Sequence, residues 1–198
     1  MTNRIKISIF AILSILVGLY PVLYFVLDRD FALLQTKNPE ILSNAVYNVF
    51  FNIHIFTGGL ALLSGWPQFV RSFRLKYIHY HRLIGIFYTF ICIISGLSAI
   101  YISFYATGGT ISTIGFLSLG LVWVFTTTRG FLLAKNKKIG SHRKMMTYSY
   151  AASFAAVTLR LWLPLLILIF SDFTLAYQAV AWLCWVPNIA YAYYINSK

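Results

Sequence analysis

Residues 83–104, LIGIFYTFICIISGLSAIYISF, run from Leu83 to Phe104 without one charged side chain. About 20 mostly apolar residues suffice to cross the hydrocarbon core of a bilayer as a helix, so this stretch has the length and character of a membrane span. Further stretches of the same kind are Ile7–Leu27, Ala45–Trp66, Ile111–Leu133, Met145–Ile169 and Leu175–Tyr194. With 60% hydrophobic residues and a mean hydropathy of +0.76, little of the chain is left for a soluble domain. The expectation is an all-α membrane protein: one domain over residues 1–198, folded as a bundle of six transmembrane helices.

The charges between the spans orient them. Arg4, Lys6, Arg71, Arg74, Lys76, Arg82, Arg129, Lys135, Lys137, Lys138, Arg143, Lys144 and Lys198 fall in segments on one side. The other side has only Arg29 and Lys37, beside every acid in the chain: Asp28, Asp30, Glu40 and Asp172. The partition is 13 basic residues against 2, in loops short enough for the positive-inside rule. Both termini are therefore expected in the cytoplasm, with the protein multi-pass in a bacterial cytoplasmic membrane. The one remaining cation, Arg160, lies deep in the fifth span.

A net charge of +12 does not make this a nucleic-acid binder. Such proteins carry their basic patch on a folded polar surface, whereas these cations flank apolar spans, where orientation and contact with anionic headgroups explain them. The first span is expected to be retained as a helix rather than cleaved as a signal peptide, since it is longer than an h-region and Asp28-Arg29-Asp30 is no small-residue cleavage site. Cys92 and Cys184 both fall inside spans, which points to small apolar filler rather than a disulfide framework. The longest connection, Asp28–Asn44, contains Asn38-Pro39 and is expected to form a surface turn or short interfacial helix.

There is an internal echo. Gly59-Leu60 recurs as Gly120-Leu121, and His81-Arg82 as His142-Arg143, both 61 residues on. Each copy has the order helix, basic loop, His-Arg, helix, so the two hairpins enter the membrane in the same sense, as in repeats related by an axis along the membrane normal.

Neighbours three, four or seven apart share a helix face. Three such stripes are small and weakly polar: His54, Gly58, Ala61, Gly65; then His81, Gly85, Tyr88, Cys92, Ser95; then His142, Met146, Ser149, Ser153, Ala156, Arg160. The other faces carry Ile, Leu, Phe and Val for lipid. Most stripe members are explained as the seam along which helices approach closely. The histidines and Arg160 ask for more, because an ionisable group inside a span faces a cavity or a partner. At 1.5 Å per residue Arg160 lies about 27 Å beyond His142, and His54 about 20 Å from the Pro67 end of its helix. These two should share a depth in the outer half, while His81 and His142 share the basic mouth. All four should point into the bundle, and His79 should be an ordinary interfacial residue.

No acid lies within a span to pair with Arg160. A loop acid dipping inward, or backbone carbonyls freed near Pro164 or Pro187, would satisfy it. Otherwise its partner is exogenous: a haem propionate, a quinone oxygen, a lipid phosphate or a substrate carboxylate, all suited to the guanidinium fork. The missing acids also remove proton relays built from membrane carboxylates. A zinc hydrolase is removed too, because His54 lies too far in depth from His81 and His142 to share one ion.

Several of these residues together resemble a known family. They are His54 with Gly58-Gly59 and Ser64-Gly65; His81-Arg82-Leu83-Ile84-Gly85 with Tyr88; His142 to Met146; Tyr148-Ser149-Tyr150; Phe154 to Leu161 with Pro164; and Ala181 to Asn188. The likeness covers roughly residues 45–190 and is to the bacterial membrane family called domain of unknown function 2306. The resemblance implies a polytopic bacterial membrane protein and supplies no chemistry.

Two function classes remain open. The first is a b-type haem protein carrying electrons with quinone, since bundles hold haem by axial histidines with small residues beside them. His81 and His142 are then the iron ligands, and His54 with Arg160 forms a separate outer site for quinone or substrate. His79 is the only fourth histidine and lies at the wrong depth to partner His54, so two bis-His haems are not available. The second class is a non-redox binding or transport module. Its cavity, with Gly58, Ser149 and Ser153 in the wall and Arg82 and Arg143 at the mouth, takes a lipid-like or anionic molecule.

Overall fold

A computed structural model describes residues 3–26 and 32–198. Leu27, at the end of the first expected span, and Asp28, Arg29 and Asp30 of the charge partition lie outside the described residues, as do the side chains of Arg4 and Lys6. The described residues contain helices and turns and no strand.

Helix α1 (Asn3–Leu19) is followed by the short α2 (Leu23–Val26) and α3 (Pro39–Ser43). Then come α4 (Ala45–Gly65), α5 (Arg71–Lys76), α6 (Ile78–Ser103), α7 (Gly109–Lys135), α8 (Ile139–Ser153), α9 (Ala155–Phe170), α10 (Phe173–Leu183) and α11 (Val186–Ser197). Four helical stretches are long and apolar enough to cross a membrane: Ala45–Phe69, Ile78–Ser103, Gly109–Lys135 and Ile139–Phe170. They correspond to the second to fifth expected spans.

The first and sixth spans differ from expectation, and proline is the reason. Pro21 has no N–H to donate and its ring crowds the carbonyl one turn back. The chain tightens into a 3₁₀ turn at Tyr20–Val22, and the apolar helical run is only Ile7–Val22. In the sixth, Pro187 removes the donor for the Leu183 carbonyl, and the chain turns at Cys184 and Trp185 before helix resumes at Val186. The stretch divides into α10 of 11 residues and α11 of 12, each about 16 to 18 Å long, short of the roughly 30 Å hydrocarbon core. Pro164 is tolerated inside α9, at the cost of the helical donor to the Arg160 carbonyl.

Helices α4, α6, α7 and α8 pack in chain order, α1 lies on α4 and α9, and α10 lies on α7 and α9. The packing inverts the usual soluble pattern. Phe90, Leu168 and Ile169 are well exposed, whereas Ser14, Ser95, Ser112, Thr127 and Ser149 are buried. Glycine sets the closest approach: a Cβ on Gly59 would lie 2.5 Å from the Gly18 carbonyl oxygen. Helix α4 and helix α1 therefore touch backbone to backbone. The turn between α6 and α7 uses Gly108 and Gly109 at φ of +92° and +67°, a region L residues rarely adopt.

Buried hydroxyls tie the seam together. The Tyr88 hydroxyl lies 3.0 Å from Ser149 Oγ and 3.1 Å from Ser153 Oγ, and Thr127 Oγ1 lies 2.6 Å from Ser149 Oγ. Tyr150 donates to Ser14 Oγ at 2.9 Å and lies 3.1 Å from the Leu62 carbonyl. The 61-residue echo is visible in these contacts. Tyr88 meets Ser149 and Cys92 lies beside Ser153, and each pair is one residue and its counterpart 61 positions on.

Candidate functional site

His54 sits midway along α4 on the stripe that faces α6. Its Nδ1 donates to the Ser95 carbonyl at 3.1 Å, and Ser95 Oγ donates back to the His54 carbonyl at 3.0 Å. The clasp fixes the ring and leaves Nε2 for the space beyond. Gly58 makes that clasp close: a Cβ there would come within 3.3 Å of Ser95 Oγ.

That space is a cavity of about 200 Å³ inside the bundle. On α4 its wall runs from Tyr47 to Leu62, about 22 Å of helix. The cavity is therefore long and narrow. Phe51, Ile55, Phe116 and Leu119 make much of the wall apolar, and Gly58 and Ser153 also line it. Its nitrogen-bearing side chains are His54, Arg160, Lys37 and the indole of Trp123, and Tyr24, Tyr47, Tyr177 and Ser103 also line it. Trp123 is only 5% exposed, and its indole lies beside the Cys92 thiol.

Arg160 stands at one end of this space. Its Nη1 donates to the Ala156 carbonyl at 2.8 Å, one turn back on its own helix. Its guanidinium carbon lies 4.3 Å from the centroid of the Tyr20 ring, a cation–π contact. The carbonyl freed by Pro164 is not what it binds. Arg160 also borders a second cleft of about 390 Å³, with Tyr20, Tyr24, Leu163, Pro164 and Phe173. It thus lies between the long inner cavity, whose wall it shares with His54, and the outer cleft. Among the described residues neither Glu40 nor Asp172 pairs with it.

Lys37 is the second cation. The loop before α3 folds back so that its ammonium donates to the Tyr105 carbonyl and, at 3.2 Å, to Thr107 Oγ1. Burial lowers its pKa from 10.5 to about 8, because the charged form loses water and gains no carboxylate. Sequence reading counted Lys37 only as a loop charge, and nothing local marks the return of that loop to the bundle. Trp123 was missed as well; an indole among threonines on an otherwise apolar helix is a faint signal.

The other candidates fall elsewhere. His81 and His142 each stand fourth in their helices, at the basic end, and His142 Nδ1 donates to the Gly130 carbonyl at 2.8 Å. Arg82 and Arg143 are exposed there, and Ser149 belongs to the buried hydroxyl cluster. His79 is exposed, with its ring 6.0 Å from that of Tyr80. Among the described residues no three His, Cys, Asp or Glu side chains gather as a metal site.

Lys37 gives the first prediction. Between about pH 8 and pH 10.5 the unfolded chain holds the Lys37 proton and the folded chain does not. Stability should therefore rise as pH increases through that window. The rise should be smaller in Lys37→Met, measured by thermal unfolding at pH 8 and pH 10. Equal rises in the two proteins would contradict a desolvated ammonium.

Comparison with known proteins follows the same outline. The family described as "Predicted membrane protein (DUF2306)" matches residues 51–196, a segment that holds His54, His81, His142 and Arg160 but not Lys37. No curated protein and no solved structure matches the chain. By a match over most of its length, the chain belongs to the DUF2306 family of predicted membrane proteins.

Proposed function

We propose that this protein is an integral membrane binding or transport module whose inner cavity takes an anionic, lipid-like molecule. One observation carries the reading: Arg160 and Lys37 face one long, largely apolar space and, among the described residues, have no acid partner. A cation buried without a counter-ion is costly, and an acyl chain headed by a carboxylate or phosphate supplies both the missing charge and the apolar filling. The guanidinium fork takes such a head by two parallel hydrogen bonds.

The test uses the purified protein and two probes with the same chain, a long-chain fatty acid and its methyl ester. Trp123 lines the cavity, so tryptophan fluorescence reads occupancy. The acid should bind about tenfold or more tighter than the ester, the worth of a charge-assisted hydrogen bond. Arg160→Gln should bring the acid down to the level of the ester. Equal affinity of acid and ester for the wild type would rule out an anionic head and leave a neutral ligand such as quinone.

The haem reading takes second place. In its favour are the equivalent places of His81 and His142, each the fourth residue of its helix, and the hydrogen bond from His142 Nδ1 to Gly130, the way an axial histidine is commonly oriented. Against it, neither histidine lines the inner cavity or the outer cleft. An absorption spectrum of protein purified from haem-supplemented cells should show no stoichiometric Soret band. Such a band, lost on removal of His81 and His142, would reverse the order of the two readings.

We also infer a single six-segment unit with both termini in the cytoplasm of a bacterium, supported by the 13-to-2 partition of basic residues. Reporter fusions after Asn38 and after Lys137 should then report opposite sides of the membrane. Matching signals would refute the orientation.

A further inference from the structure

We propose that the ligand of the inner cavity is a lipid drawn directly from the bilayer, and that it enters sideways through the outer cleft, where Arg160 meets its anionic head. The inference rests on the reading of the inner cavity as a site for an anionic, lipid-like molecule. It adds the source of that molecule and the route it takes.

The cleft and the cavity adjoin. Tyr24, Leu159 and Arg160 line both, whereas Tyr20, Leu163, Pro164 and Phe173 line the cleft alone. Proline shapes the opening from each side. Pro21 tightens the chain into the turn that carries Tyr20, and Pro164 stands across from it on α9, with no N–H to leave unpaired in the gap. The flanks of the cleft are apolar and exposed: Val22, Leu23 and Val26 beside the turn, and Leu161, Leu165 and Leu168 along α9. Apolar surface of that extent marks contact with membrane. A cleft set among such side chains opens to acyl chains rather than to water.

The end of the cavity beside Lys37 is covered by contrast. Leu34 lines the cavity and is buried. Its loop is tied down by Lys37, which donates to the Tyr105 carbonyl and to Thr107 Oγ1, and by Thr36 Oγ1, 3.4 Å from Thr107 Oγ1. Gln178 Nε2 donates to the Gly108 carbonyl at 2.8 Å and fastens α10 to the turn between α6 and α7. Entry from water under this loop would break those bonds and expose Leu34. Entry through the cleft displaces the Tyr20 ring from the guanidinium, whose carbon lies 4.3 Å from the ring centroid. Side-chain rotation of that kind is fast. The guanidinium carries more donors than the Ala156 carbonyl takes, and a carboxylate or phosphate head replaces the ring with charge-assisted hydrogen bonds. A neutral lipid gains no such bond, so the junction sorts lipids by charge.

The experiment uses full-length protein in phosphatidylcholine nanodiscs. Association and dissociation rates of a long-chain fatty acid are measured separately by tryptophan fluorescence. Pro164→Phe adds bulk to the cleft at a residue that does not line the inner cavity, and should slow both rates about tenfold at unchanged affinity. Leu168→Phe, exposed on α9 outside the cleft, should exchange at wild-type rates. Wild-type rates in Pro164→Phe, with the acid still preferred over its methyl ester, would overturn the route and leave the inner site standing. So would rates that respond to Leu34→Ala instead, which marks entry from water under the loop. A wild type that does not prefer acid to ester removes the inner site itself, and the route with it. Should Pro164→Phe fail to fold, the wild type is photolabelled with a fatty acid carrying a diazirine beside its carboxyl group. Adducts on Tyr20, Pro164 or Phe173 that excess acid competes away, and excess ester does not, support the route. Adducts confined to inner-cavity residues overturn it.

Discussion

Hydrocarbon offers no water, so a polar group within the membrane must find its partner inside the protein. Most of this bundle follows from that constraint. The hydroxyls of Tyr88, Thr127, Ser149 and Ser153 bind one another, Tyr150 reaches Ser14, and Asn188 donates to Thr158 Oγ1 at 3.0 Å and to the Cys184 carbonyl at 2.9 Å. These bonds need backbones close together, which explains the glycines at 18 and 59 and the alanines and serines along the seam. Large apolar side chains are left for the lipid. Arg160 is the departure: its own helix and the Tyr20 ring satisfy part of the guanidinium, and the remainder faces the cavity.

The 61-residue echo reaches the seam but not the cavity. Tyr88 meets its counterpart Ser149, yet His54 corresponds to Gly115 and Arg160 to Ala99, and Lys37 lies before either copy. The basic end keeps both copies of His-Arg.

Much of this was legible in the sequence, for physical reasons. The stripes on α4, α6 and α8 were readable because helix periodicity fixes which residues share a face, and Ala61, Gly65, Tyr88, Cys92, Ser95, Ser149 and Ser153 are indeed buried. The shared depth of His54 and Arg160 followed from rise per residue. The lost length of the first and last spans was harder to read, because proline can either bend a helix or end one. Pro164 stays within α9 while Pro21 and Pro187 mark breaks. The return of Lys37 was not legible at all. It depends on Thr107 and the Tyr105 carbonyl, far away in the chain, and no local pattern encodes a contact across that distance.

The central claim is the proposal that Arg160 and Lys37 are held for an anion that no described residue supplies. The most direct measurement is a density map of the protein in lipid nanodiscs, prepared without added detergent-exchange steps that strip bound lipid. The account predicts a headgroup-sized feature between Arg160 and Lys37, continued by a chain-like feature along α4 toward Trp123. An acid of this chain bonded to Arg160, with the cavity holding only water, would contradict it.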